Sequence, residues 1–352
     1  MIIYVILVLV IIIGAVFIKS DTSKRNYCII IGIMLLILIG CRHISMGISD
    51  TENIYIPTYE RILETNFRDI NKVFYKDLLF HYFTKIFSLL INNSQLWITI
   101  VALPLIFLYC RFVYKYSNRP SLSFLLFLSL NYYGMCFTLM RHSIALALVI
   151  SSYSFLKERK LTKFILIILL ASMFHKTAIV FLVAYPLYTM KFNVKQFIVI
   201  IIALMLSVTV GDRLFSIALS ILKADRYQSY ADSESALSLM NFYINFLILM
   251  CSFVFYRYFS KENSNEIEGL MNLNTISCIA LAFTPVLGEM YRISMFFGIF
   301  NTILLPNVLA LKGKNDKYKT MIYFCMYLIF ILYFLGISLQ NAQIIPYKFF
   351  WQ

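Results

Sequence analysis

Apolar runs long enough to cross a bilayer alternate with short basic segments along almost all of the 352 residues. Ile2–Ile18, Leu122–Leu130 and Met321–Leu335 contain no charged residue at all. A hydrocarbon core about 30 Å thick calls for about 20 consecutive apolar residues, and a helix is the simplest way to satisfy the backbone there. On this pattern spans are expected at about 2–18, 28–46, 95–114, 121–139, 141–156, 164–174 with 176–190, 196–210, 241–258, 271–288, 292–311 and 320–339. The pattern therefore predicts an all-α polytopic integral membrane protein with about 11–12 transmembrane helices.

Two segments do not read as plain spans. Leu78–Ile91 is short and carries His81 and Lys85, so a re-entrant or interfacial helix on the outer face is expected there. Phe164–Met190 holds His175-Lys176 in its middle and reads as two short helices meeting near the outer surface.

Composition agrees with the pattern. Hydrophobic residues make up 61% of the chain and charged residues 14%, against roughly half and a quarter in soluble domains. Mean hydropathy is +0.80. The net charge of +14 does not mark a nucleic-acid binder, because the basic residues are dispersed between spans rather than clustered. They follow the positive-inside rule instead. With the N-terminus outside, the inner loops carry Lys19, Lys24 and Arg25, then Arg111, Lys115 and Arg119, then Lys157, Arg159, Lys160 and Lys163. Lys191 and Lys195, Arg257 and Lys261, and the cluster Lys312–Lys319 complete the inner set.

No Lys or Arg precedes the first apolar run and no small-residue cleavage site follows it, so it is expected to stay as a span rather than be removed as a signal peptide. The seven cysteines lack metal-type spacing and read as small buried hydrophobes. No Asp-x-Asp occurs, so a metal-bound nucleotide-sugar site is unsupported, and neither a metal nor a cofactor is expected.

The outward side has two long segments, about 47–94 and 211–240. The first is rich in Tyr and acidic residues; the second contains the amphipathic stretch Arg213–Lys223, expected to lie in the headgroup plane. No linker, low-complexity tract or internal repeat appears, and residues 1–352 are read as a single membrane domain.

Four charged or titratable sites fall at outer span ends in this topology. Arg42-His-Ile-Ser-Met-Gly47-Ile-Ser-Asp50, with Tyr55 following, ends the second span; Arg141-His142 begins the fifth. His175 falls between the two short helices, and Glu289-Met-Tyr291-Arg292 lies between two late spans. Charged groups near hydrocarbon are expensive and mark function by default. The planar guanidinium fork matches phosphate oxygens, and Asp50, Glu289 or His175 suits the role of general base. Each residue also has a structural alternative. Arg42 and Lys85 can snorkel to headgroups, Arg141 can anchor a helix start, and His175 can be a satisfied polar residue at a helix break. Asp50 can cap the helix that follows, and Arg292 can simply pair with Glu289. His43, His81 and His142 read as bystanders, and outer-loop tyrosines as possible platforms for sugar rings.

The Arg42–Gly47–Asp50–Tyr55 form resembles the signature of the EpsG family, the Wzy-like polymerases of bacterial surface polysaccharides. Arg141-x-Ser-Ile-Ala145 is similar to that family's Arg-Gln-x-Ile-Ala element, with His142 where Gln is usual. Leu170-Ala171-x(3)-His175-Lys-Thr-Ala178 resembles its Leu-Ala-x(2–3)-His-x-Ser-Ala element, and Tyr291-Arg292 sits where a late arginine is expected. The departures are one extra residue between Arg42 and Gly47, and Thr51 where an aromatic residue often follows the Asp. The resemblance implies a GT-C-like membrane fold that polymerises an exopolysaccharide, capsule or O-antigen from units on undecaprenyl diphosphate, at the outer face of the bacterial cytoplasmic membrane. It implies diphosphate contacts from Arg42, Arg141 and Arg292, with Gly47, Tyr55 and Tyr291 near the substrate, and an acceptor-orienting or deprotonating role for His175. A flippase and a chain-length regulator are its implied partners. A ligase, a membrane O-acyltransferase and a lipid-linked glycan flippase are the competing classes.

Overall fold

The computed structural model describes residues 1–47, 50–74, 77–90, 92–222, 235–259, 264–311 and 318–352. Of the polar run Ala224–Ser235, only its last residue falls among them. Of the basic cluster 312–319, residues 312–317 lie outside them.

Helices account for about four fifths of the described chain. In order they are α1 (Ile2–Ala15), α2 (Asp21–Gly40), α3 (Ile56–Glu64), α4 (Ile70–Val73), α5 (Leu78–Ser88), α6 (Ser94–Tyr116), α7 (Pro120–Ser129), α8 (Tyr132–Met135) and α9 (Met140–Lys157). There follow α10 (Leu161–Phe174), α11 (Ala184–Leu187), α12 (Lys195–Leu222), α13 (Ser235–Phe259), α14 (Asn265–Ala282), α15 (Glu289–Gly298), α16 (Asn301–Ala310), α17 (Lys319–Tyr333) and α18 (Leu339–Asn341). A π-helical turn, Thr51–Tyr55, leads into α3, and a 3₁₀ stretch, Lys176–Val183, precedes α11. Among the described residues five helices are long and apolar enough to cross a membrane, and five shorter ones are apolar. The chain is an all-α polytopic membrane protein.

Local sequence explains many boundaries. Ser20 and Ser23 form a reciprocal capping box at the start of α2, and Asn93 caps α6 through Leu96 N–H, each satisfying orphan amides at a helix N-terminus. Pro120 opens α7 where its missing N–H costs nothing.

Three readings change. The span foreseen over 121–139 is not one helix: α7 stops at Ser129, Asn131 turns left-handed at φ 64°, and only the single turn α8 precedes α9. Non-helical backbone at this depth survives only when protein covers it, and almost every residue from Pro120 to Thr138 is buried. The amphipathic stretch after Arg213 was expected as a separate interfacial helix. Instead α12 continues unbroken to Leu222, 28 residues in all; no proline interrupts it. Lys85, whose structural alternative was snorkelling to headgroups, is buried and caps the end of α3 through Ile62 and Leu63 carbonyls at 3.1 and 3.2 Å, as a cation at a helix C-terminus should. Two other expectations hold: α5 has 11 residues, too few to cross, and α10 ends at Phe174 with His175 at the break.

The contacts group the chain into two compact units. Unit 1 comprises Met1–Ser154, Thr162–Ile179 and Met321–Gln352; unit 2 comprises Phe155–Leu161 and Val180–Thr320. Both are assembled from interrupted stretches, so no one linker marks a boundary in the sequence. Unit 1 packs α1, α2, α6 and α7 around rings such as Tyr109 and Phe127, stacked at 4.0 Å between centroids. Unit 2 centres on α14, which packs against α12, α13, α15 and α16. There three buried asparagines join three helices: Asn301 Nδ2 donates to Asn245 Oδ1 at 2.7 Å and to Asn274 Oδ1 at 3.0 Å, the kind of polar bond that holds helices together in a membrane.

Candidate functional site

The site in unit 1 is built on the loop that follows α2. Arg42 is fully buried, with its Nη1 donating to Met46 O at 2.8 Å and its Nη2 to Thr51 Oγ1 at 3.2 Å. Its guanidinium lies 4.7 Å from the centre of the Phe137 ring. The Thr51 hydroxyl in turn donates a hydrogen bond to the carbonyl of Phe137, in the broken stretch between α8 and α9. The residue that departs from the family pattern is thus the one that receives the guanidinium. Arg42 neither snorkels nor presents an open fork; it ties the loop to the π-helical turn and the broken stretch.

Gly47 closes the same loop at φ +88°, and a Cβ there would lie 2.9 Å from Thr138 Cγ2 and 3.0 Å from Phe137 Cβ. Both the backbone angle and the space demand glycine. Asp50 starts the π-helical turn, and its side chain makes no capping bond, so the N-cap reading is not what the structure shows.

The C-terminal residues cover this loop, an arrangement with no counterpart in the sequence reading. Arg42 and Phe349 form an antiparallel bridge. His43 N donates to Lys348 O and Phe350 N to Cys41 O, both at 2.9 Å, and Gly47 N donates to Gln343 O at 3.0 Å. Tyr347 O–H reaches Leu38 O at 2.8 Å, and burial pushes its phenol above the ordinary value.

One turn along from Thr51, Tyr55 carries the connection to Arg141. The Arg141 guanidinium lies 5.6 Å from the Tyr55 ring centre and forms an ion pair with Asp77. Arg141 keeps 32% of its side chain exposed, and so differs from Arg42 in being reachable. Asp77 stands at φ 51° just before α5. It was visible in the sequence only as one acidic residue of the outer segment.

His142, next to Arg141 in the first turn of α9, packs edge-on against His175 with ring centroids 5.0 Å apart. The sequence reading, which set His142 aside, gave no sign of this contact. His175 is half-buried at the end of α10, and Phe174 beside it meets Phe83 of α5 at 6.0 Å. Arg42, Gly47, Asp50, Tyr55, Arg141 and His175 therefore belong to one connected region. Two tyrosines of the outer segment do not offer sugar platforms: Tyr55 and Tyr59 are buried, and Tyr59 stacks on Trp97 at 4.9 Å.

Glu289, Tyr291 and Arg292 lie in unit 2. Arg292 Nη1 bonds Glu289 Oε1 at 2.6 Å, with 31% and 23% of the two side chains exposed, so the ion pair anticipated as a structural alternative does form. No group of three or more His, Cys, Asp or Glu residues capable of holding a metal occurs among the described residues.

A family model described as the EpsG family matches residues 25–349, nearly the whole chain. No curated protein and no solved structure matches it.

Proposed function

The chain belongs to the EpsG family, a polysaccharide-polymerase-like family, and on that premise we propose that it joins repeat units carried on undecaprenyl diphosphate. The reaction takes place at the outer face of the bacterial cytoplasmic membrane. A hydroxyl of one lipid-linked unit attacks the anomeric carbon of another chain. The bond from that carbon to the diphosphate oxygen breaks, and undecaprenyl diphosphate leaves with the electron pair.

The observation that carries this reading is the adjacency of a reachable cation and a histidine pair at the start of α9: Arg141 with Asp77, and His142 against His175. Charge grows on the leaving diphosphate, and a fixed guanidinium stabilises it most in the transition state. Asp77 occupies part of the Arg141 fork, and a guanidinium has five donors, so it can take a diphosphate oxygen as well. His175 orients the acceptor hydroxyl and takes its proton, with the carboxylates of Asp50 and Glu289 the other candidates for that role. Arg42 and Gly47 act here by shaping the loop, and Tyr291 and Arg292 contact the glycan or a second diphosphate. A flippase supplies the lipid-linked unit, and a chain-length regulator sets when the polymer is released.

The test uses purified protein and a synthetic undecaprenyl-diphosphate-linked repeat unit, with products separated by size. A ladder of longer lipid-linked glycans is expected, reduced about 10²–10³-fold in rate by Arg141→Ala. A ladder insensitive to that substitution places the site elsewhere. Transfer to an unrelated acceptor without any ladder makes the protein a ligase, and neither product overturns glycosyl transfer.

A further inference from the structure

A cavity of about 170 Å³ in unit 2 plays no part in the proposed reaction. It lies where α13 ends and α14 begins, and Lys191, Phe192, Phe253, Tyr256, Arg257 and Glu268 line it.

Its chemistry is bipolar. Glu268 is only 6% exposed, yet its carboxylate faces this space. It accepts bonds from Phe192 N at 3.2 Å and from Tyr256 O–H at 3.4 Å, and Lys191 Nζ stands off at 3.8 Å. An ionised carboxylate has about four acceptor positions, so Glu268 can take a further donor. Lys191 also donates to Asn265 Oδ1 at 2.9 Å, which fixes its ammonium at the rim. The Arg257 guanidinium rests 5.4 Å from the centre of the Phe253 ring. One wall is thus a buried carboxylate among aromatic rings, and the rim carries two cations.

A guest that is purely anionic would set its phosphate against Glu268. A purely cationic guest would meet Lys191 and Arg257. A guest with an ammonium and a phosphate two methylenes apart satisfies both walls. Its ammonium would donate to Glu268 and lie against the rings of Phe192 and Tyr256. Its phosphate would take the guanidinium and ammonium of the rim. Val194, Ile198 and Val254, within a few residues of the lining positions in the chain, are 59%, 52% and 52% exposed, as lipid-facing side chains are, and would offer apolar surface for acyl chains. We propose that this cavity binds the phosphoethanolamine headgroup of a membrane phospholipid.

The test reads lipid retention and needs no enzymatic activity, so its failure leaves the polymerase reading untouched. The full chain is reconstituted with equal parts of phosphatidylethanolamine, phosphatidylglycerol and phosphatidylcholine, then extracted in mild detergent, and the retained lipids are counted by native mass spectrometry. Phosphatidylethanolamine should exceed phosphatidylglycerol about tenfold, equivalent to about 1.4 kcal/mol. Glu268→Gln keeps the shape and should abolish that preference. Arg257 is exposed, so Arg257→Gln should fold normally and lower retention of phosphatidylethanolamine. The proposal is overturned if the unaltered protein retains phosphatidylglycerol as well as or better than phosphatidylethanolamine, or if Arg257→Gln retains as much as the parent.

Discussion

Replacing Gly47 with alanine tests the geometry of the Arg42 loop directly. The residue stands at φ +88°, where a side chain costs roughly 1–2 kcal/mol. The added Cβ would lie 2.9 Å from Thr138 Cγ2, 3.0 Å from Phe137 Cβ and 3.2 Å from Phe137 O. The Thr138 methyl can rotate away, but the Phe137 carbonyl cannot retreat. It belongs to the buried backbone between α8 and α9 and accepts the Thr51 hydroxyl. Overpacking of this kind costs about 1–3 kcal/mol, so Gly47→Ala should lose about 2–5 kcal/mol in all. Gly336 is the control, because nothing lies within 4 Å of a Cβ there, and Gly336→Ala should be neutral or stabilising by up to about 1 kcal/mol. Equilibrium unfolding in mixed micelles measures both variants, with polymerisation assayed well below either transition. Equal stability of the two variants would refute the loop described here.

Two further substitutions separate scaffold from chemistry. Thr51→Val removes both the acceptor of Arg42 Nη2 and the donor to Phe137 O; each buried group left unsatisfied costs about 1–3 kcal/mol, which the same unfolding measurement should register. Asp77→Asn breaks a part-buried ion pair, with side chains 32% and 18% exposed, but keeps a polar amide in place, so stability should fall by only about 1–3 kcal/mol. Turnover, by contrast, should fall clearly as the Arg141 fork loses its orientation, and single-turnover assays with the lipid-linked unit should show the defect in the chemical step.

The hydropathy pattern was enough to read the helical class, because span length and backbone satisfaction leave few other solutions. It could not show the break at Asn131. Every neighbour there is apolar or small, and periodicity does not distinguish a continuous buried helix from one interrupted under a protein cover. Within unit 1 the motif residues Arg42, Gly47, Asp50, Tyr55, Arg141 and His175 lie in one region, but two roles were hidden. A charged residue followed by glycine and aspartate reads the same whether its guanidinium faces a substrate or a threonine, and only the fold shows that Arg42 is fully buried. Asp77 lies 64 residues from Arg141, and Lys348 lies 302 residues from Met46, whose sulfur its amide faces at 3.2 Å. No local signal links partners so distant. His142 was the nearest to being legible, since helix geometry places a residue beside Arg141 in the same first turn.

The two arginines then divide the work according to what surrounds them. No described carboxylate pairs with Arg42, and its Nε has no hydrogen-bond partner; a charge held this way is costly and persists only where the structure around it fixes it. Here the fixing elements are the Met46 carbonyl, the Thr51 hydroxyl, the Phe137 ring and the C-terminal bridge at Phe349. Of these, Thr51 opens a π-helical turn whose last residue, Tyr55, lies against the Arg141 guanidinium. Such turns recur at functional sites because they shift one side chain out of helical register. The loop fixed at Arg42 is therefore joined, through Thr51 and Tyr55, to the partly exposed guanidinium of Arg141. A diphosphate would then meet an Arg141 already oriented by Asp77 and Tyr55, beside His142 and His175, and preorganised charge of this kind is what lowers a barrier in which negative charge develops on the leaving group.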